Sequence, residues 1–181
     1  FHVSGGTTDI LLVTPNDNGF TVEQIGGSAD INAGQAIDRI GVKMGVPFPA
    51  GKGVERLALN STRTCKNKIK LKDGVCSLSG LENKCLKMLE DNETTEDTAK
   101  FLLSYIVDTV STMTEFALEK YGDLPIVYAG GVMCNSIIRR MLSERFDAVF
   151  AEPSLSSDNA PSFSVEAGTI TSELVKTENG Y

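Results

Sequence analysis

The first residues of the chain, FHVSGGTTDILLV, place two glycines and three hydroxyl side chains between two short runs that are typical of β-strands. Gly5 and Gly6 leave the backbone bare, and Ser4, Thr7 and Thr8 surround them. Such a turn can simply reverse the chain, or its N–H groups can bind an anion such as a phosphate. Both interpretations stay open on this stretch alone.

A second glycine pair could take part in the same chemistry. Gly130 and Gly131 follow a buried apolar run and precede a helical pattern, so a flat ring or a phosphate could approach the backbone there. The N–H groups of the helix that follows would face the same space. Tight packing between a strand and a helix would require the same two glycines, so this stretch is also open to both interpretations.

Three aspartates are candidates for hydrogen bonding or metal binding. Asp158 can cap a helix, or it can offer a carboxylate oxygen to a divalent cation. Asp30 and Asp38 are eight residues apart, which places them on one face of a helix. They are either solvated carboxylates or acceptors for the hydroxyl groups of a ribose.

The composition is that of an ordinary globular domain. The chain has 181 residues, of which 41% are apolar and 23% are charged. Its net charge of −7 argues against broad, nonspecific binding to nucleic-acid phosphates. The one local basic cluster runs from Lys66 to Lys72, and its alternation with apolar residues is typical of an exposed strand face. Because Phe1 already lies in an apolar run, we expect that part of the protein upstream is missing.

The cysteines indicate a reducing compartment and no zinc site. Cys65, Cys76, Cys85 and Cys134 show neither Cys-x-x-Cys spacing nor a neighbouring histidine. The sequence has no apolar run of membrane length and no signal peptide. We therefore expect a cytoplasmic protein that does not bind a membrane.

Strands and helices are predicted to alternate along the chain, which favours an α/β fold with a mixed sheet. Ser28 or Asp30 is the expected N-cap of the first helix, and Thr94 and Gly122 bound the longest helix. The predicted elements are a hairpin of strands 9–14 and 20–25, helices 30–44 and 54–59, a second hairpin over 68–79 around Asp73-Gly74, helices 80–90 and 95–120, strand 125–131, helix 135–146, strand 148–151 and helix 159–174.

Five stretches of the chain, taken in order, resemble one known family. They are HVSGGTTDILLV, GGSADINAGQAIDRIGVKMGVPFPAGKG, SLSGLENK, VYAGGVMCNSIIRRML and EPSLSSDNAPSFSVEAG. Together they are similar to the catalytic subunit of tRNA threonylcarbamoyladenosine synthesis, a family long labelled O-sialoglycoprotein endopeptidase or glycoprotease. The resemblance runs from Phe1 to about Thr171, and five stretches in the same order are far more specific than any one of them.

The resemblance implies the two-lobed fold of actin, sugar kinases and Hsp70. Residues 1–175 would be the second lobe, residues 176–181 a flexible tail, and the first lobe would be absent from this chain. The implied ligands are an adenine nucleotide or acyl-adenylate and one divalent metal, Fe, Zn or Mg, completed by histidines missing from this chain. The implied binding residues are Ser4, Gly5, Gly6 and Thr7 for phosphate, Asp38 and Gly51 for the nucleoside, Asn135 for the adenosine side, Asp30, Gly130 and Gly131 elsewhere in the nucleotide site, and Asp158 for the metal.

Several residues depart from the family pattern. Thr7 stands where the family has the histidine of a Gly-Gly-His-Thr turn, and Gln35 stands where it has a glutamate. Ile31 replaces the second aspartate of a pair, and Ala50 replaces the first glycine of another. The family's His-x-x-x-His metal motif has no match, since His2 is the only histidine. This lobe is therefore expected to bind and orient the substrate.

The implied function is the nucleotide-binding lobe of a metal-dependent transferase that places a threonylcarbamoyl group on N6 of a tRNA adenosine. The expected partners are the protein's own first lobe, other subunits of the transfer complex, and tRNA through those subunits; this lobe alone is expected to be inactive. Thr7, Ile31 and Gln35 favour an alternative, a diverged paralogue that acts as a nucleotide-binding regulator or scaffold. A metalloendopeptidase would need a His-Glu-x-x-His motif, which the chain lacks. A small-molecule kinase of the same fold would not share the five stretches.

Overall fold

The computed structural model describes residues 1–152, so the predicted helix 159–174, the tail and Asp158 lie outside the described residues. Within that range, strands and helices alternate along the chain. They are β1 His2–Val3, β2 Thr8–Asn16, β3 Gly19–Ser28, α1 Ala33–Lys43, α2 Gly51–Leu59, β4 Val75–Cys76, α3 Ser79–Glu90, α4 Thr95–Tyr121, β5 Ile126–Tyr128, a 3-10 turn Gly131–Cys134, α5 Ser136–Ser143 and β6 Ala148–Phe150.

The strands form a four-stranded mixed sheet with the order β1-β2-β3-β4 and a two-stranded sheet of β5 and β6. β1, β2 and β3 pair antiparallel, β4 pairs with β3 in parallel, and β5 pairs with β6 in parallel. The N–H of Val3 donates to the carbonyl of Ala129 at 2.8 Å, and the N–H of Ala129 donates to the carbonyl of Phe1 at 2.8 Å. These two bonds link β1 to the end of β5 in parallel. The α/β fold with a mixed sheet is thus confirmed.

This topology brings the predicted glycine corners to one edge of the sheet. β1 and β5 run in parallel, so the turn 4–7 and Gly130 both follow strand ends at the same edge. β3 is antiparallel to β2 and parallel to β4, so the residues after Ser28 and after Cys76 emerge at that edge as well. Ligands of open α/β sheets bind where strands end in this way.

Helix α4 forms the centre of the core. Leu102, Ile106 and Met113 on this helix are each no more than 1% exposed. Thr94 caps its start by accepting the N–H of Asp97 at 3.1 Å, and Gly122, with φ of 88°, ends it. By length and composition α4 alone among the described helices could cross a membrane, but 61% of its most apolar window is buried inside the fold. That burial is typical of a core helix.

The first helix begins later than predicted, and its cap is a different residue. α1 starts at Ala33 with Asn32 as the N-cap, so the prediction of Ser28 or Asp30 was wrong. The side-chain carbonyl of Gln35 accepts the N–H of Asn32 at 3.0 Å, which forms half of a capping box. The carboxylate of Asp30 is used elsewhere, at the start of α3.

The second predicted hairpin is wrong except for its turn. Asp73 and Gly74 have φ angles of 51° and 79°, and Lys72 and Val75 exchange two backbone hydrogen bonds of 3.0 Å. Beyond this turn β4 pairs with β3 instead, and residues 61–71 run without a strand partner in the described chain. The apolar alternation here reports which side faces the protein, and it does not report sheet pairing.

Candidate functional site

The turn after β1 is held by its own hydroxyl groups. Oγ of Ser4 accepts the N–H groups of Gly6 and Thr7, each at 3.2 Å, and lies 2.9 Å from the hydroxyl oxygen of Thr7. The N–H of Gly5 has no acceptor among the described residues, and nothing lies within 4 Å of the positions that side chains at Gly5 and Gly6 would occupy. The turn is therefore fixed from one side and open at its glycine pair.

Helix α1 docks directly on this turn. The N–H of Gly34 donates to the carbonyl of Ser4 at 3.1 Å, and the side-chain amide of Asn32 donates to the carbonyl of Gly6 at 2.8 Å. A Cβ atom at Gly34 would lie 2.6 Å from the Ser4 carbonyl oxygen and 2.7 Å from Cα of Gly5. Gly34 is therefore required for close packing, and the start of α1 serves to hold the turn.

The two glycines after β5 have different roles. Gly130 has a φ of 100°, and a Cβ atom there would lie 2.3 Å from the carbonyl oxygen of Val3. This glycine is needed for packing against β1. No atom of residues 1–152 lies within 4 Å of the Cβ position of Gly131, so in the described chain it leaves open surface at the same edge. Only the second glycine of the pair offers space to a ligand.

The first turn of α5 is occupied by protein acceptors. Asn135 is 8% exposed, and its side-chain oxygen accepts the N–H groups of Ile137 and Ile138, each at 3.1 Å. A carboxylate oxygen of Glu55 on α2 accepts the N–H of Ser136 at 2.7 Å and also the Ser136 hydroxyl. The expectation that these N–H groups face a ligand is thus corrected, because two side chains already use them.

Unlike α5, helix α2 begins with backbone N–H groups that no described residue accepts. A carboxylate oxygen of Asp38 accepts the N–H of Ala50 at 2.7 Å and so fixes the residue before α2. In the described chain the N–H groups of Gly51 and Lys52 have no acceptor, and nothing lies within 4 Å of the Cβ position of Gly51. The partial positive charge of a helix start is therefore available here.

Asp30 caps a distant helix. Its carboxylate accepts the N–H of Leu78 at 2.8 Å, the N–H of Ser79 at 3.1 Å and the hydroxyl of Ser77 at 2.6 Å. Desolvation would raise the pKa of this carboxyl, but the hydrogen bonds from Ser77, Leu78 and Ser79 outweigh it and hold the pKa well below its usual range. Asp30 is thus charged and joins the end of β3 to the start of α3.

The described residues hold no metal cluster, and the two buried cysteines among them are not ready nucleophiles. Burial raises the pKa of the Cys76 thiol to about 11 and that of Cys85 to about 12, so both stay protonated at neutral pH. No group of three or more His, Cys, Asp and Glu side chains in residues 1–152 is arranged to hold a metal ion. The predicted ligand Asp158 lies beyond that range, so metal binding stays a prediction.

Several site features were not anticipated from sequence. Thr8 accepts the N–H of Ala33 at 2.9 Å, and Glu55 caps α5 from another helix. His2 lies 2.6 Å, by its Nδ1, from the hydroxyl oxygen of Thr7. These contacts join residues that are distant in sequence or packed across elements, so spacing alone gives no signal for them.

Helix α1 connects the elements that carry the open glycines. α1 packs against α2 and against the 3-10 turn, β1 packs against the same turn, and α2 packs against α5. Two cavities, of about 410 Å³ beside residues 143–148 and about 510 Å³ beside residues 70–77, are not lined by Gly5 or Gly6. The candidate site in this chain is therefore an open surface at the sheet edge.

Comparisons with known proteins agree with this architecture. Two solved structures that superpose on this chain have the actin/Hsp70/sugar-kinase fold. HypF from T. kodakarensis superposes with a TM-score of 0.56 at 18% identity over 72% of this chain and 18% of that protein. The activator of 2-hydroxyisocaproyl-CoA dehydratase from Clostridium difficile, solved with bound ADPNP, has a TM-score of 0.54 at 13% identity over 99% of this chain and 62% of that protein.

Sequence relatives identify the family. Three proteins named tRNA N6-adenosine threonylcarbamoyltransferase are 31%, 33% and 32% identical to the chain; they come from Halalkalibacterium halodurans, Kosmotoga olearia and Bacillus licheniformis. The matches cover 87%, 78% and 94% of this chain but 49%, 44% and 53% of the relatives, so the chain spans about half their length. Residues 1–163 match the family model for TsaD, the tRNA N6-adenosine threonylcarbamoyltransferase. The chain belongs to this transferase family.

Proposed function

We propose that residues 1–175 are the nucleotide-binding lobe of a cytoplasmic enzyme that transfers a threonylcarbamoyl group from its adenylate to N6 of a tRNA adenosine. The first lobe, the other subunits of the transfer complex and the tRNA would come from outside this chain. The observation that carries the proposal is a set of open glycines in a chain of this family: Gly5, Gly6 and Gly131 follow strand ends at one sheet edge, and Gly51 starts α2, which packs against α1.

Each open position suits one part of an acyl-adenylate. The bare backbone of Gly5 and Gly6 can approach the phosphate without a side chain between them. The N–H groups of Gly51 and Lys52 at the start of α2 have no acceptor among residues 1–152, and would offer partial positive charge to a bound anion. Gly131 leaves a flat surface against which the adenine ring can lie.

The chemical contribution of this lobe is positioning. In the reaction the N6 amine attacks the carbonyl carbon of the threonylcarbamoyl group, the bond from that carbon to the phosphate oxygen breaks, AMP leaves with the electron pair of that bond, and the proton lost by the amine goes to solvent. A turn pinned by Ser4 and by α1 holds the phosphate in a fixed place, so the carbonyl can meet the amine in one geometry. Within residues 1–152 both Cys76 and Cys85 are kept as neutral thiols, so neither competes as a nucleophile.

The family resemblance also predicts a divalent metal held by Asp158 and by histidines outside this chain. When bound, such an ion neutralises phosphate charge and polarises the acyl carbonyl. The described residues provide no group of ligands for it. Their proposed task of binding and orientation does not depend on the metal.

A second candidate function is a nucleotide-binding regulator or scaffold without catalysis. Two residues that depart from the family pattern stabilise the turn or the helix that docks on it. Thr7 contacts Ser4 and His2 within the turn, and Gln35 accepts the N–H of Asn32 at the start of α1. Such local use of the replaced residues would preserve a nucleotide site even if the transfer reaction were lost.

Calorimetry of the full-length protein with an adenine nucleotide tests both candidates. Replacing Gly131 with leucine should weaken nucleotide binding at least tenfold, because the side chain fills the space proposed for adenine. Gly80→Leu is the matched control, since Gly80 also has nothing within 4 Å of its Cβ position and lies on α3. Equal affinity of the two variants would contradict the site.

Incubation with threonylcarbamoyl-adenylate and unmodified tRNA then separates the two candidates. Formation of the modified adenosine supports the transferase. Nucleotide binding without transfer, in the presence of the partner subunits and divalent metal, supports the scaffold.

A further inference from the structure

An extended segment before β4 carries a row of exposed lysines. In residues 61–72 the side chains alternate between half-buried and exposed positions, and all four lysines fall on the exposed side. These four residues, called the lysine stripe below, are Lys66, Lys68, Lys70 and Lys72. Within residues 1–152 none of their ammonium groups forms an ion pair or a hydrogen bond. Their charges are therefore available to an external anion.

The segment is held in place from its inner side. Asp108 on α4 is 6% exposed, and one of its carboxylate oxygens accepts both the backbone N–H of Asn67 at 2.8 Å and its side-chain amide at 3.0 Å. The other oxygen of Asp108 lies 2.9 Å from a guanidinium nitrogen of Arg145. An ion pair of Arg63 with Glu93 anchors the start of the segment. The lysine stripe is thus displayed on a fixed backbone.

The lysine stripe leads toward the edge of the sheet that carries the candidate site. Lys70 and Lys72 line a cavity of about 510 Å³ together with Ala29 and Ser77. Ala29 follows β3, and Ser77 follows β4, at the same edge as the turn 4–7. A polyanion bound along the lysine stripe would therefore approach the proposed nucleotide surface.

We propose that the lysine stripe binds the phosphodiester backbone of the RNA substrate. This inference rests on the proposed function, and it names residues of this chain that would contact the RNA directly. In an extended chain alternate residues are about 6.5 Å apart, so the four lysines span roughly 20 Å and can meet several successive phosphates. Contacts of this kind position the RNA without reading its sequence.

Two features favour RNA over an acidic protein as the occupant. Protein–protein interfaces are depleted in lysine and enriched in aromatic residues and arginine. In residues 61–72, by contrast, every exposed charged side chain is a lysine. The net charge of the chain is −7, so a polyanion is repelled elsewhere and its binding is confined to this basic strip.

The test measures how binding of unmodified tRNA by the full-length protein depends on salt. The variant Lys68→Gln/Lys70→Gln removes two charges from the lysine stripe. Lys43→Gln/Lys87→Gln removes two charges from exposed positions on α1 and α3, so it matches the change in net charge. Each lost phosphate contact lowers the slope of log K against log salt by about 0.7 to 0.9. The slope measured for Lys68→Gln/Lys70→Gln should therefore be smaller by about 1.4 to 1.8, while the slope measured for the control variant stays that of the unsubstituted protein.

Each outcome decides the inference. An equal change in both variants would mean that only net charge acts, and would overturn it. Binding of polyglutamate as tightly as tRNA, with the same sensitivity to Lys68→Gln/Lys70→Gln, would overturn it in favour of an acidic protein partner. Retained tRNA binding with an unchanged slope overturns the lysine stripe alone. A protein that binds adenine nucleotide but no tRNA overturns both the lysine stripe and the tRNA substrate of the proposed function.

Discussion

Nδ1 of His2 lies 2.6 Å from the hydroxyl oxygen of Thr7, across the turn that joins β1 to β2. Thr7 is the position where the family resemblance leads one to expect a histidine. The structure thus keeps an imidazole beside the turn, but supplies it from β1, five residues earlier in the chain. The hydroxyl of Thr7 also contacts Oγ of Ser4, so one side chain links the strand to the tip of the turn.

Replacing Thr7 with valine should therefore loosen the turn. The variant keeps the shape of the side chain but loses the contacts with His2 and Ser4, which is expected to lower the free energy of unfolding by about 1 kcal/mol. Denaturant unfolding followed by circular dichroism measures this. Thr14→Val on exposed β2 surface is the control, and equal stability of the two variants would show that the His2–Thr7 contact is not stabilising.

Replacement by alanine should destabilise the protein at Gly130 but have little effect at Gly131. Gly130→Ala introduces a Cβ atom 2.3 Å from the Val3 carbonyl oxygen at a φ of 100°, so it should cost more than about 1 kcal/mol of stability. The Cβ atom of Gly131→Ala meets no described residue within 4 Å, so this variant should change stability by less than about 0.5 kcal/mol. Thermal denaturation of both variants gives the comparison. Similar melting temperatures would mean that the β1–β5 contact is looser than the structure shows.

Stability below pH 4 should depend on Asp30. Desolvation raises the pKa of this carboxyl, but the hydrogen bonds from Ser77, Leu78 and Ser79 lower it further, to a value well below that in the unfolded chain. A depressed pKa in the folded state stabilises the protein fully above the unfolded pKa of about 4 and loses that effect as the pH falls further.

Asp30→Asn removes this dependence, because asparagine does not titrate. At neutral pH the variant should lose about 1 kcal/mol of unfolding free energy, because an amide NH₂ replaces one of the two carboxylate oxygens that accept hydrogen bonds at the start of α3, and the difference should shrink between pH 4 and pH 2. Asp17→Asn in the exposed β2–β3 turn is a suitable control. A difference that stays constant with pH would show that the charge of Asp30 does not support α3.

Features set by neighbouring residues could be predicted from the sequence, and features set across the fold could not. Thr94 and Gly122 define the ends of α4 because caps act within one turn of the helix. By contrast, Asp30 and Leu78 are 48 residues apart, so spacing gives no sign that one caps the helix beside the other. The strong N-cap preference of aspartate led to the wrong cap for α1, where Asn32 and Gln35 form the capping box.

The candidate site shows the same division. The glycine pairs could be recognised, but their separate roles depend on which atoms face each Cβ position. Gly130 packs on Val3 while Gly131 is open, and nothing in the sequence distinguishes them. Alternation across residues 66–72 correctly indicated which side is exposed. The inner side faces α4 through Asn67 and Asp108, however, and no strand within residues 1–152 pairs with residues 66–71.

The buried carboxylate behind the lysine stripe yields the last prediction. Asp108 accepts two hydrogen bonds from Asn67 and forms an ion pair with Arg145. In Asp108→Asn an NH₂ group replaces one carboxylate oxygen, and this group would face the N–H donors of Asn67 or Arg145. This change should cost about 1 to 3 kcal/mol. It should also speed hydrogen exchange of the Asn67 N–H, because local opening of the segment becomes easier. Asp123→Asn on the exposed surface after α4 is the control. If Asp108→Asn lowers global stability while the exchange rate at Asn67 tracks only that global change, the carboxylate supports the core and does not pin the segment that carries the lysines.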